Sequence, residues 1–191
     1  MMTHPLVKEI LISEAQIDQR CAELGAEISA YYSQPEHKLK DNTILCLGLL
    51  KGCIPFMAKF IRHLTIECET EYMVVSSYFG GVKGNGAPKI VLDLPIPIDQ
   101  RDILLVEDII DSGKTIKMIK DYLILKGAKS VKVVTLLDKK AGREVDLVPD
   151  WFGFDVPHAF LIGFGLDYEE RLRNLPYVAI ADTDKIKTWK W

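Results

Sequence analysis

The sequence predicts an α/β fold in which a mostly parallel sheet is flanked by helices. Short continuous apolar runs at residues 43–49, 102–107 and 130–137 have the pattern of strands covered on both faces. Helix-periodic segments separate or precede them, the rhythm of right-handed βαβ crossovers. Lys51, Glu107 and Lys139 fall at the carboxyl ends of these runs, where open α/β sheets hold their ligands.

In chain order, Ser13-Glu14-Ala15-Gln16 fits a capping box. Ile17, Cys21, Leu24 and Ile28 then recur at intervals of four, three and four, as one buried helix face does. After the strand at 43–49, residues 55–64 read as helix and 71–77 as strand. Residues 79–89 hold Gly80, Gly81, Gly84 and Gly86 with Asn85 and Pro88, which excludes a stable helix. This loop is either a plain hairpin connection or a lid, the latter favoured because it follows Ser77-Tyr78 directly. Residues 102–107 are the expected central strand. A helix from about 114 to 126 turns Ile116, Ile119 and Leu123 inward and stops at Gly127. The last quarter is irregular and richer in aromatics, and is expected to cap the site. The chain reads as one domain, 1–191, with a core over about 35–150 and a hood from about 1–34 and 151–191.

At 191 residues, 48% apolar and 27% charged, this is an ordinary globular composition with enough apolar surface for a core. The net charge of −3 argues against a nucleic-acid partner bound by bulk electrostatics, so an anionic ligand needs local cations. Cys21, Cys46, Cys53 and Cys68 lack paired metal-ligand spacing, and His4, His37, His63 and His158 form no HExxH-type arrangement. The first residues carry no long apolar stretch after basic ones, and no apolar run is long enough to span a bilayer. A reduced, cytoplasmic protein without a membrane partner is expected.

Residues 104–115, Leu-Leu-Val-Glu-Asp-Ile-Ile-Asp-Ser-Gly-Lys-Thr, are the most informative stretch. A strand runs into two adjacent carboxylates, then a third, then a small turn that opens a helix. Ser112-Gly113-Lys114-Thr115 offers backbone amides, hydroxyls and a positive helix end to a phosphate. Glu107 and Asp108 would repel that phosphate, so they face something else: sugar hydroxyls, a metal, or a proton to be removed. An ATP-type P-loop needs a glycine five residues before Gly113, where Asp108 stands instead.

This pattern resembles the signature of type I phosphoribosyltransferases. Leu50-Lys51-Gly52, Ser77-Tyr78, Lys139 after Thr135-Leu136-Leu137-Asp138, and residues 160–173 are similar, in order and spacing, to the hypoxanthine-guanine branch of that family. The resemblance covers roughly residues 10–185 and implies a Rossmann-like sheet with a small hood. It implies transfer of a phosphoribosyl group from 5-phosphoribosyl 1-pyrophosphate to a 6-oxopurine such as hypoxanthine, and also guanine. Mg²⁺ is the implied cofactor, and a homo-oligomer, dimer or tetramer, the implied assembly. A second class, an RNA-binding regulator of the same fold, would need a basic surface and could dispense with a purine seat.

The resemblance also assigns roles. Asp111 through Thr115, including Ser112, Gly113 and Lys114, would hold the 5′-phosphate, with Lys114 free to point away. Glu107 and Asp108 would hold the ribose hydroxyls directly or through Mg²⁺. Asp111 would take the purine N7 proton; the bland alternative is an N-cap for the helix that follows. Lys51 and Gly52, joined to Leu50 by a non-proline cis peptide, would bind pyrophosphate together with Arg173, and Ser77-Tyr78 would belong to the loop. Lys139 would donate to purine O6, Phe160 would stack on the base, and Leu161 would read its edge through the backbone. Asp167 would lie near the base or a second Mg²⁺. From composition alone Phe160 is equally ordinary core.

Overall fold

The computed structural model describes residues 3–76 and 88–191. Its elements run β1 (Val7–Ile12), α1 (Glu14–Tyr32), β2 (Thr43–Leu50), α2 (Ile54–Phe60), β3 (Glu67–Ser76), β4 (Lys89–Leu92), β5 (Asp102–Ile110), α3 (Lys114–Leu125), β6 (Ser130–Asp138), β7 (Trp151–Asp155), β8 (Leu161–Ile162), β9 (Val178–Ala181) and α4 (Thr183–Ile186). Six strands form the main sheet in the order β4-β3-β2-β5-β6-β7. All neighbours pair in parallel except β4, an antiparallel edge on β3.

The apolar runs explain this layering, because alternate residues serve opposite faces. Leu104 and Val106 join Ile44, Cys46, Val134 and Leu136 beneath α1 and α2. Ile103 and Leu105 join Leu45, Leu47, Val131 and Val133 beneath Ile116, Ile119 and Leu123 of α3. Truncating a fully buried leucine such as Leu104 to alanine costs about 2–5 kcal/mol. The Ser13 capping box is present: the Ser13 amide donates to Gln16 Oε1 and the Gln16 amide to Ser13 Oγ. Gly127, at φ +93°, follows the end of α3.

A separate antiparallel sheet, β1-β9-β8, joins the first strand to two from the C-terminal quarter. Its own small core includes Leu6, Ile162, Leu172, Tyr177 and Ala179. The expected boundaries of core and hood need correction at two points. α1 packs on the main sheet through Ile17, Cys21, Leu24 and Ile28, because that apolar stripe has to be covered by a sheet face. β7, read from its aromatics as part of a cap, is the parallel edge strand beside β6. β5 also runs to Ile110 rather than ending at Glu107. Ser77, Tyr78 and nearly all of the 79–89 loop lie outside the described residues. Among the described residues, no helix is long and apolar enough to cross a membrane.

Candidate active site

Because β2, β5 and β6 are parallel, their carboxyl ends meet along one edge. A cavity of about 530 Å³ opens there, lined among others by Gly52, Glu107, Asp108, Asp111, Ser112, Gly113 and Thr115. Seven residues from two separate stretches of sequence thus border one cavity.

The extra length of β5 places Glu107 inside the sheet, where it is 6% exposed and its Oε1 has no hydrogen-bond partner. Burial, and then the neighbouring charge of Asp108, raise its carboxyl well above the usual range. Burial pushes Asp108 up to about 6, against the pull of the Ile109 amide, which donates to Oδ1 at 2.8 Å, and of Arg173. Asp108 leans on the first loop so closely that a Cβ at Gly52 would fall 1.7 Å from its Oδ2. Any side chain at that position would have to displace the Asp108 carboxylate. The Leu50–Lys51 peptide is cis, as expected.

The turn beyond β5 leads directly into a helix start. Gly113, at φ +80°, is the N-cap of α3 and supplies no side-chain cap; the Lys114 amide donates to Ser112 Oγ at 3.4 Å, a long bond that a ligand could replace. Asp111 is therefore not the helix cap that was its alternative role. Its half-exposed carboxylate accepts from Lys139 Nζ at 2.9 Å. Lys114 turns away from the cavity and pairs with Glu144.

The C-terminal segment approaches from the hood. Gly165, at φ +100°, lies against the carbonyl of Gly52, where a Cβ would come within 2.1 Å. Arg173 donates to the Gly165 carbonyl at 2.7 Å and pairs with Asp167 at 3.0 Å and Glu170 at 3.3 Å, leaving a buried Nε without a partner. Lys51 pairs with the same Glu170 at 2.7 Å. Phe160 is 44% exposed, too open for a core phenylalanine, and meets Tyr168 edge-on at 6.2 Å. Leu161 is buried in β8.

Lys51, Lys139, Phe160, Leu161, Asp167 and Arg173 do not line the cavity described above. Lys139 joins it through Asp111, and Asp167 and Arg173 through their fields at Asp108. Glu107, Asp108 and Asp167 do not converge: among the described residues no three acids, histidines or cysteines could hold an ion by themselves. Sequence reasoning missed Glu170 and Arg143, whose side chains carry no local motif. Arg143 sits in a loop after Lys139 and reaches back to the Asp111 carbonyl at 3.0 Å.

Residues 13–169 match the family model described as a phosphoribosyl transferase domain. The chain is 46% identical over 174 residues to the hypoxanthine-guanine phosphoribosyltransferase of Lactococcus lactis, covering 91% of each chain. The crystal structure of a hypoxanthine phosphoribosyltransferase from Staphylococcus aureus superposes with a TM-score of 0.86 at 36% identity, over 95% of each chain. The hypoxanthine phosphoribosyltransferase of Trypanosoma cruzi, in complex with the product IMP, does so with a TM-score of 0.87 at 30% identity, over 96% of this chain and 99% of that one. With its parallel sheet, acid-rich strand end and amide-lined turn, this chain belongs to the phosphoribosyltransferase family, in its hypoxanthine-guanine branch.

Proposed function

We propose that this protein transfers the 5-phosphoribosyl group from 5-phosphoribosyl 1-pyrophosphate to N9 of a 6-oxopurine, giving the nucleoside monophosphate and pyrophosphate. One observation carries the reading. A pair of carboxylates, Glu107 and Asp108, leads within one cavity to an open helix-start turn, and Asp111 between them holds Lys139 at 2.9 Å. That juxtaposition sets a proton acceptor beside a cation at the mouth of a phosphate cradle.

N9 attacks C1′ as the bond from C1′ to the pyrophosphate oxygen breaks, and pyrophosphate leaves with the electron pair. The proton on N7 passes to Asp111, whose half-exposed carboxylate is accessible to a base. The amides and hydroxyls of residues 112–115 hold the 5′-phosphate, so the reacting carbon is positioned before the chemistry begins. Lys139 donates to the carbonyl at C6, and Phe160 offers its exposed ring to the base. Lys51 and Arg173 supply positive charge to the leaving group; both now pair with Glu170.

Mg²⁺ fits the acids present. Glu107 has an unpartnered buried oxygen, and among the described residues neither Glu107 nor Asp108 forms an ion pair, Arg173 reaching Asp108 only through its field. Glu107 and Asp108 would hold the ion, which would supply positive charge to offset that of the leaving pyrophosphate. Homo-oligomerisation belongs to the same reading, supported by the exposed Leu125 and Val148; sedimentation velocity tests it.

Steady-state kinetics with Mg²⁺, the phosphoribosyl donor and hypoxanthine, guanine, xanthine or adenine test the proposal. Hypoxanthine is used, and adenine falls at least about 100-fold below it, because its C6 amino group sets a donor against the Lys139 ammonium. Adenine turnover equal to that of hypoxanthine would remove Lys139 from base recognition. No transfer to any oxopurine would overturn the function.

A further inference from the structure

The turn carrying Asp111 and Ser112 lies between the end of β5 and the start of α3, outside the ladder of either. Its N-cap glycine contributes no side-chain bond, so its position is set from elsewhere. The loop that follows β6 supplies the support. Arg143 Nε donates to the Asp111 carbonyl at 3.0 Å, and its Nη2 donates to the Ile110 carbonyl at 3.3 Å. Nη2 also bonds Asp138, the last residue of β6, and Nη1 bonds the Leu147 carbonyl. Asp138 is only 2% exposed, so this ion pair is a built feature of the interior and not a surface contact.

Backbone contacts run along the same seam. The Glu144 amide donates to the Ser112 carbonyl at 3.0 Å and the Lys139 amide to the Ile110 carbonyl at 3.0 Å. Gly142 has no Cβ where one would meet Asp111 Oδ1 at 1.6 Å, and a Cβ on Gly113 would meet Arg143 Cδ at 2.9 Å. The phosphate turn is therefore moulded against the 139–147 loop, with the guanidinium as its pin.

We propose that Arg143 is the positioning residue of this active site. Paired with buried Asp138, its planar fork holds the Ile110 and Asp111 carbonyls, and through them the direction of the Asp111 carboxylate and of the amides of residues 112–115. Arginine is required because four acceptors spread around one plane match a fork and not a point charge. The inference rests on the function proposed above, in which Asp111 accepts the proton and the turn grips the 5′-phosphate.

Removing Arg143 alone strands the buried Asp138 charge, whereas removing both partners of such a pair is far better tolerated. The test therefore compares Asp138→Asn, Arg143→Lys and the double variant Arg143→Met/Asp138→Asn. Asp138→Asn keeps the bonds to carbonyls; its Tm falls while kcat stays within about threefold of the parent. The folded double variant loses roughly 10–100-fold in kcat and gains several-fold in KM for the phosphoribosyl donor, while KM for hypoxanthine moves less than about threefold. Arg143→Lys restores only part of this loss. A purely structural role would lower Tm without the split between the two KM values. Parental kcat and donor KM in the double variant overturn the proposal, and if that variant does not fold, the same result in Arg143→Lys does so. An inactive parent protein would instead count against the function itself.

Discussion

Residues 107–115 deliver a strand end, three carboxylates and a helix-start turn in one unbroken stretch bordering one cavity. The other side of the site is assembled from distant pieces: Lys51 after β2, Lys139 after β6, and residues 160–173, which begin in the separate three-stranded sheet. In the first region one backbone carries each group to its place, and a strand end followed by a helix start is enough. In the second, placement depends on contacts across more than a hundred residues, such as Lys51 with Glu170 and Gly165 against Gly52. The second region also holds Phe164, Glu169, Glu170 and Leu172 in the left-handed backbone region, which non-glycine residues adopt at a cost that surrounding structure has to offset. Contiguity makes the first half robust; the second half depends on the hood being docked.

The largest effect lies on the contiguous side. Asp111→Asn keeps the shape but removes the basicity, so kcat falls by about 10²–10⁴-fold while both KM values change by less than about fivefold. Unaltered kcat in rapid-quench and steady-state assays would transfer the proton elsewhere. Gly165→Ala probes the join between the two regions. The new Cβ meets the Gly52 carbonyl in a conformation at φ +100° that alanine resists, so stability drops by about 1–3 kcal/mol. Pyrophosphate affinity, measured by product inhibition, weakens with it, because Lys51 and Arg173 are aligned across this contact. A variant with ordinary Tm and inhibition would separate hood docking from the pyrophosphate loop. Lys114→Ala is the smallest. Lys114 and Glu144 are both more than half exposed, so their pair contributes about 0–1 kcal/mol, and donor KM stays within about twofold. A tenfold rise would mean that the Lys114 ammonium reaches the phosphate after all.

Strands β2, β5 and β6 and helices α1 and α3 were legible because periodicity reports burial directly: a run apolar on both faces has to be sandwiched, and a stripe at intervals of three and four has to be covered. β7 was not, since Trp151 to Asp155 carries no such run; its place is set by pairing to β6 and by α1, whose Arg20 donates to the Phe152 and Gly153 carbonyls. Within the site, Glu107, Asp108 and the turn could be read as a unit. Arg143 could not, because a lone arginine in a loop has no signature until Asp138 and the Asp111 carbonyl are seen around it. The reach of the C-terminal segment to the pyrophosphate loop was implied by resemblance, not by any local pattern.

By itself the sequence determined the strand and helix periodicities, the acid-rich strand end and the helix-start turn, since each depends on neighbours a few residues away. Only the tertiary structure decided that Glu107 is buried in the cavity wall, that Asp111 faces Lys139 instead of capping α3, and that Arg143 pins the turn. The physical reason is the same in all three: burial, charge pairing and multi-acceptor hydrogen bonding are properties of atoms brought together across the fold, and they do not exist along the chain.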